Sequence, residues 1–178
     1  MKASTAAVGG FSLIELMVAI TIVALFLMLA IPSFSEWLIN TRIRNAAESI
    51  ANGLQVTRNE AVRRNAAVQF VKGAGTDSSW SVSCVAVTPG CPDTNTIQSR
   101  ATGEGSSSTI TVTPSNGNTV VFDNFGLKST PVAASINFAI DTTDLPAAKS
   151  RDLRVTVDAG GNVRMCDPNT TTPDPRAC

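Results

Sequence analysis

The chain has 178 residues with 14 acidic and 14 basic side chains, so its formal net charge is zero. This length suits one ordinary domain with an appendage, and the charge balance gives the whole molecule no strong attraction to nucleic acid or anionic lipid. Histidine is absent, which excludes histidine-based general base catalysis and histidine metal ligands.

The N-terminal region combines a short leader with a membrane-length apolar run. Residues 1–10 hold one basic side chain among small residues. Over residues 16–31 the only polar side chain is Thr21. The whole run from Leu13 to Ile31, about 19 residues, would measure about 28 Å as a helix, which matches the hydrocarbon core of a bilayer. Glu15 stands at its start, where an ionised carboxylate is costly to bury and needs an explanation.

The residues Gly10-Phe11-Ser12-Leu13-Ile14-Glu15-Leu16 resemble the N-terminal signature of type IV prepilins and type II secretion pseudopilins. The resemblance implies that a prepilin peptidase cuts the chain between Gly10 and Phe11 and that the new amino group of Phe11 is methylated. It also implies an assembly role for Glu15, whose partner would be the methylated amino group of a neighbouring subunit. An ordinary secretory signal places its apolar region before the cut, whereas here the apolar run stays in the mature protein.

Pro32 interrupts the helical pattern. Proline removes one backbone hydrogen bond, so we expect a kink or a locally melted turn there. From this point to about Arg64, apolar residues recur at steps of three and four, which predicts an amphipathic helix. Charged residues off the stripe are interpreted as a solvated face, and a basic face for partner binding is the alternative. The stripe consists of Trp37, Ile39, Ile43, Ala46, Ala47, Ile50, Leu54 and Ala61.

Beyond residue 65 the composition shifts to Ser, Thr, Gly, Asn and Val in alternating runs, which predicts a strand-rich domain. Asn116-Gly117 predicts a hairpin between the strands on either side, and Ala159-Gly160-Gly161 predicts a second hairpin. The segment Asp167–Cys178 is rich in proline and threonine, so we expect it to be irregular. The predicted strands are 68–71, 79–87, 109–113, 119–122, 135–140, 152–157 and 162–166.

These patterns predict an α+β fold in which a long N-terminal helix packs on an antiparallel β-sheet or sandwich. The predicted parts are a leader (1–10), a transmembrane or filament-core helix (11–31), an amphipathic helix (32–64) and a β-rich domain (65–178). A bare apolar rod cannot stay in water, so it must lie in a bilayer or pack against related rods. Together with this requirement, the resemblance to prepilins implies a single-pass inner-membrane protein with a periplasmic globular domain that moves into a pilus or pseudopilus.

The four cysteines are Cys84, Cys91, Cys166 and Cys178. An even number in a chain with an export signal predicts disulfides, and the gaps do not fit the tight spacing of a zinc ribbon. Three pairings are open. We favour Cys84–Cys91 and Cys166–Cys178, because each closes a short loop containing proline or turn residues and would stabilise the fold by roughly 2–3 kcal/mol. No metal or cofactor is predicted.

The strand-rich domain resembles the GspH/FimT group of minor pilins and pseudopilins. The resemblance rests on residues 121–126, Val-Phe-Asp-Asn-Phe-Gly, and on the hairpin 155–166, which ends in Arg-Met-Cys. These motifs favour FimT over GspH and imply a minor type IV pilin with other pilin subunits as partners. A pseudopilin of a type II secretion system is the alternative. An enzyme is disfavoured, because the sequence offers no nucleophile–base constellation.

DNA binding is a further alternative. Some FimT proteins bind DNA through a basic C-terminal region with the motif Gly-Arg-x-Arg, but Gly161-Asn162-Val163-Arg164 lacks the first arginine. The candidate contacts are Arg154, Arg164 and Arg176. From residue 149 onward the chain holds five basic and four acidic residues, which is a weak balance for a phosphate-binding surface. We therefore interpret Arg164 as an outward-facing strand residue.

Overall fold

A computed structural model describes residues 11–104 and 109–178, and the side chains of residues 29–32 are not among the described atoms. The predicted leader and its cleavage residue, Gly10, lie outside the described residues. The chain divides into two compact units, one up to Trp37 and the other Leu38–Cys178. The α+β prediction is confirmed: a helix packs on antiparallel β-sheets.

Helix α1 runs from Leu13 to Arg64. In the described residues no single straight helix is long and apolar enough to cross a membrane. The bent pair Leu13–Met28 and Ser33–Arg64 together meets the requirement by length and composition alone. The break between the two segments includes Pro32, whose missing N–H removes one helical hydrogen bond.

The C-terminal end of α1 is closed by the backbone of Asn65. This residue adopts a left-handed conformation with φ of 48°. The amide of Ala66 donates to the carbonyl of Ala61 at 3.2 Å, which is the hydrogen bond typical of a Schellman cap. Arg63 and Arg64 in the last turn complement the negative end of the helix dipole.

The strands form two sheets in which every pairing is antiparallel. The five-stranded sheet has the order β3-β2-β1-β5-β6, and the four-stranded sheet has the order β4-β7-β8-β9. The strands are β1 (Val68–Lys72), β2 (Trp80–Cys84), β3 (Thr96–Arg100), β4 (Ile110–Pro114), β5 (Thr119–Phe122), β6 (Lys128–Thr130), β7 (Ser135–Thr142), β8 (Leu153–Asp158) and β9 (Val163–Cys166).

The buried face of α1 matches most of the predicted apolar stripe. From Ile43 to Ala61 the stripe residues are buried, and they pack with the inner faces of both sheets in one hydrophobic core. Trp37 departs from the prediction, because 60% of its surface is exposed. Its ring stacks on Phe34 with 5.7 Å between centroids. The stripe therefore contributes to the core only on the C-terminal side of the boundary between Trp37 and Leu38.

The predicted hairpin at Asn116-Gly117 is wrong. The turn exists, and Gly117 supplies a positive φ of 76°, but the strands it joins belong to different sheets. Strand β4 pairs with β7, and strand β5 pairs with β1. Turn residues favour a reversal of the chain, whereas the pairing follows from which partner completes each buried apolar face. The second predicted hairpin is confirmed, since β8 pairs with β9.

Two strands were not predicted, and one is shorter than predicted. Strand β3 is largely exposed and polar, and β6 has only three residues, so neither shows the alternating pattern of a half-buried strand. Strand β2 ends at Cys84, and the amide of Val85 adds one more hydrogen bond in the same register, to the carbonyl of Ala67 just before β1.

Gly53 lets α1 approach the five-stranded sheet closely. A Cβ atom at this position would lie 2.8 Å from the Phe70 ring and 2.9 Å from the Trp80 ring. The indole N–H of Trp80 also donates to the hydroxyl of Ser49 at 2.9 Å, so the buried polar edge of the ring is satisfied. The helix is thus held against two aromatic rings by close packing and one buried hydrogen bond.

Substituting Gly53 should destabilise the domain through overpacking. We expect Gly53→Val to lower the free energy of unfolding by about 1–3 kcal/mol, because the rings must move to admit the new atoms. The matched control is Asn52→Val, which changes the exposed neighbouring position and should cost about 0.5 kcal/mol. Urea denaturation of Leu38–Cys178 measures both. An equal loss in the two variants would contradict the close approach.

Candidate functional site

The N-terminal part of α1 presents apolar side chains to its surroundings on all sides. We call Leu13–Met28 the bare apolar segment. Its large apolar residues are between 47% and 78% exposed. Burying each of them would gain about 1.5–3 kcal/mol, which adds up to more than the total stability of a typical domain. These residues are Leu13, Ile14, Leu16, Met17, Val18, Ile20, Ile22, Val23, Leu25, Phe26, Leu27 and Met28.

The polar hydroxyl within this segment is satisfied by its own helix. The Thr21 hydroxyl donates to the carbonyl of Val18 at 2.8 Å. A hydroxyl that is bonded to its own helix needs no water and no partner chain, which suits it to an apolar environment. Apart from Glu15 in the first turn, the bare apolar segment therefore presents only apolar groups for burial.

Ser12 caps the N-terminus of α1. Its hydroxyl oxygen accepts from the backbone N–H of Glu15 at 3.2 Å, and its carbonyl accepts from Leu16 at 3.1 Å. Glu15 is thus at the third helical position, where a carboxylate interacts favourably with the helix dipole. The cap was not predicted above, although Ser-x-x-Glu before an apolar run is a known N-terminal signal. Phe11, the predicted methylation site, precedes the helix and is 85% exposed.

Both favoured disulfides, Cys84–Cys91 and Cys166–Cys178, are present in the structure. The first closes a loop against the C-terminal end of α1. A Cβ atom on Gly90 in this loop would lie 1.8 Å from the carbonyl oxygen of Arg64, so only glycine fits there. The second ties the irregular tail back to the end of β9.

The register of β8 and β9 brings two of the three candidate arginines onto one face. Arg154 is opposite Cys166, and Thr156 is opposite Arg164. Since alternate strand residues point to the same side, these four side chains share the outer face of the four-stranded sheet. The Arg164 guanidinium reaches the tail there, donating to the carbonyl oxygens of Ala177 at 3.4 Å and Cys178 at 3.3 Å.

The third candidate, Arg176, is engaged within the tail. It donates to both carboxylate oxygens of Asp174, at 3.2 and 2.8 Å. The hydrogen bonds from Arg176 lower the pKa of Asp174 to about 2. Arg164 and Arg176 are therefore both occupied by local partners, and the region offers few free cations for phosphate contacts.

A tight turn between β5 and β6 contacts helix α1, and the sequence alone did not predict this contact. One carboxylate oxygen of Asp123 accepts from the amides of Phe125 and Leu127, both at 2.9 Å. The carbonyl of Gly126 accepts from Nε of Arg58 at 3.0 Å. Arg58 lies 68 positions before Gly126, so this contact depends on the tertiary fold.

The β8–β9 turn closes on the same point. A Cβ atom on Gly161, where φ is +77°, would lie 2.1 Å from the carbonyl oxygen of Gly126. The amide of Lys128 donates to the carbonyl of Ala159 at 3.3 Å. Turns from the two sheets therefore meet beside Arg58.

Among residues 11–104 and 109–178, no group of three or more Cys, Asp or Glu side chains is arranged to hold a metal ion.

The family model "Type II transport protein GspH" matches residues 46–161, and the model "Prokaryotic N-terminal methylation motif" matches residues 6–31. No curated protein matches the chain.

Two solved structures share the fold. The type IV minor pilin FimU of Pseudomonas aeruginosa is 18% identical with a TM-score of 0.55, and the match covers 74% of this chain and 92% of FimU. The minor pseudopilin EpsH from the Type 2 Secretion System of Vibrio cholerae is 12% identical with a TM-score of 0.54, and the match covers 72% of this chain and 99% of EpsH.

The helix and the two antiparallel sheets thus define a subunit of the pilin and pseudopilin class. The chain belongs to the GspH family, whose model spans most of the globular domain. Members of this class are structural proteins that assemble with other pilin subunits, so the chain is a minor pilin or pseudopilin of a type IV pilus or a type II secretion system.

The Asp174–Arg176 pair gives a testable pH dependence. A carboxyl whose pKa is lowered in the folded state adds stability above its unfolded pKa, near 3.9, and loses it as the pH falls towards about 2. We expect Arg176→Gln to raise the pKa of Asp174 towards the ordinary value, as measured by NMR titration of the carboxyl carbon. Arg151→Gln, at an exposed arginine outside the tail, is the control. An unchanged pKa in Arg176→Gln would contradict the pairing.

Proposed function

We propose that the chain is a FimT-type minor subunit of a type IV pilus that takes part in pilus assembly and priming. In this proposal a prepilin peptidase cleaves between Gly10 and Phe11, and the amino group of Phe11 is methylated. The mature chain crosses the inner membrane once, with its globular domain in the periplasm, before it enters the filament. The exposure of the bare apolar segment is the observation that supports this proposal most directly.

The two parts of α1 differ in what surrounds their apolar side chains. The globular part buries its apolar stripe in the core of its own domain, whereas the bare apolar segment is exposed along its length. Hydrocarbon and the apolar helices of other subunits are the two environments that would bury such a surface. A subunit that moves from the hydrocarbon of the membrane to the apolar helices of a filament never exposes the bare apolar segment to water.

Glu15 would contribute to assembly by pairing with the methylated amino group of Phe11 on a neighbouring subunit. Before assembly, its position in the first turn of α1 provides partial compensation through the helix dipole. Within an apolar filament core an ion pair is strongly favoured over either charge alone, because removing one partner leaves the other buried and unpaired. The charge, rather than the length of the side chain, is the property that this role requires.

We expect Glu15→Gln to be cleaved normally but to enter filaments at least about tenfold less than the wild type, because the neighbour's amino group stays unpaired. Glutamine keeps the size and helix propensity of glutamate, so the variant isolates the charge. Immunoblots of sheared filaments give the incorporation, and the mass of the membrane-bound chain gives the processing. Gly10→Val is the unprocessed control and should keep its leader. Normal incorporation of Glu15→Gln would refute the pairing.

A type II secretion pseudopilin is the second candidate. The description of the matching family model names type II transport, and EpsH shares the fold about as well as FimU does. The DNA-binding alternative has less support, since Arg164 and Arg176 are already engaged by the tail.

Deletion of the gene distinguishes a type IV pilus subunit from a type II secretion pseudopilin. If the chain is a pilus subunit, we expect loss of surface pili and twitching motility with secretion of exported enzymes unchanged, and complementation should restore both. Loss of secretion with normal twitching would favour the pseudopilin instead. Uptake of labelled DNA in the same strain, with pili restored by an Arg154→Gln variant, tests the DNA alternative. Normal uptake by that variant is the result we expect.

A further inference from the structure

The dipeptide Asn-Gly occurs twice in the chain, at Asn52-Gly53 and at Asn116-Gly117. The first lies in helix α1, and the second lies in the turn between β4 and β5. An asparagine followed by glycine can react with its own backbone, because no Cβ atom obstructs the approach of the glycine nitrogen to the side-chain carbonyl. The two identical dipeptides have different backbone environments, so their reactivities can be compared within one molecule.

The reaction is deamidation, and water is its co-reactant. The glycine nitrogen forms a bond to Cγ of the asparagine, the bond from Cγ to Nδ2 breaks, and the displaced amide leaves as ammonia with the proton of the glycine nitrogen. The cyclic imide that results then takes up one water molecule. Opening at Cγ gives aspartate, whereas opening at the main-chain carbonyl gives isoaspartate, in which the main chain is longer by one carbon atom.

The fold protects the first dipeptide, Asn52-Gly53, through its backbone. The side chain of Asn52 is exposed, but Gly53 is buried within helix α1. The amide of a residue in the interior of a helix is used in the hydrogen-bond ladder and is not free to attack. Gly53 is also held against the rings of Phe70 and Trp80. A reaction at Asn52 therefore requires the helix to open locally, away from the core of the domain.

The second dipeptide, Asn116-Gly117, has no such protection. Both of its residues are exposed, and a Cβ atom added to Gly117 would meet nothing within 4 Å. In the parts of the chain that the structure describes, neither the side chain of Asn116 nor the amide of Gly117 has a hydrogen-bond partner. The attacking nitrogen and the carbonyl that it attacks are therefore both free and in contact with water.

Backbone hydrogen bonds fix the turn at both of its ends. The amide of Ser115 donates to the carbonyl of Asn137 at 2.8 Å, and the carbonyl of Asn118 accepts from the amide of Lys72 at 2.8 Å. The freedom that the reaction needs is thus confined to Asn116 and Gly117. Because the space around Gly117 is open, the turn can accommodate one more main-chain atom while the strands on either side keep their partners. The product should therefore remain folded.

We propose that Asn116 is a spontaneous deamidation site, at which the folded chain is converted with age to aspartate and isoaspartate while Asn52 is preserved. The reaction needs water and no enzyme, and it does not depend on the proposed function. Residues 105–122 contain no charged side chain, so the new carboxylate introduces charge into a neutral stretch of the sequence. Since the formal net charge of the chain is zero, each conversion leaves the molecule with a net negative charge.

Peptide mapping of the full-length chain compares the two dipeptides directly. The chain, purified in detergent, is incubated at mildly alkaline pH in water labelled with a heavy oxygen isotope, which marks only the deamidation that occurs after synthesis. We expect at least about tenfold more labelled product at Asn116 than at Asn52, because the helix must open before Asn52 can react. A second sample in concentrated urea is the control. There both dipeptides are unfolded, and they should react at similar rates.

Equal conversion at the two sites of the folded chain would overturn the proposal, as would an unreacted Asn116 when the urea sample has already reacted. Ion-exchange chromatography gives a second readout, because the aged chain should acquire a more acidic form. Asn116→Gln should abolish this form, since the longer side chain must close a larger ring, whereas Asn118→Gln in the same turn should retain it. An acidic form that persists in Asn116→Gln would assign the charge change to another residue and contradict the proposal.

Discussion

Contacts of the Phe70 ring hold the three layers of the domain together. Gly53 brings helix α1 against this ring, Trp80 lies beside it in the same sheet with centroids 5.8 Å apart, and Phe138 of the other sheet meets it edge-on, also at 5.8 Å. Each pair adds a directional preference to the burial of apolar surface. The helix must therefore occupy one position relative to both sheets, and this in turn fixes which face of α1 stays outward.

Local periodicity explains which parts of the fold the sequence predicts well. The buried stripe of α1, strands such as β1 and the β8–β9 hairpin all depend on spacing within a short stretch. The wrong hairpin at Asn116-Gly117 depends on a choice between distant partners, which a turn motif does not encode. Lys72 shows a related limit: it ends β1 as a buried residue whose ammonium donates to the carbonyl of Gly73, and burial lowers its pKa. A charged residue in a sequence gives no sign of such backbone partners.

The candidate sites also differ in whether their residues are close together in the sequence. The N-terminal motif and the bare apolar segment can be recognised directly, because both are contiguous in sequence. The Ser12 cap is also local, because the Ser-x-x-Glu pattern that signals it spans only four residues. By contrast, the contact between Arg58 and Gly126 needs the helix and two turns to be in place. The engagement of Arg164 with the tail likewise depends on the Cys166–Cys178 disulfide, which positions its acceptors.

The edges of the two sheets have a consequence for aggregation. An open edge strand offers unpaired backbone groups to any other chain. Here β3 is short and polar and adjoins an irregular register in β2, β4 ends in a proline, and β6 has three residues. Beyond β9 the chain turns back, and Asp167 bridges to Ala177. Each edge thus carries a feature that discourages the addition of a strand from another chain.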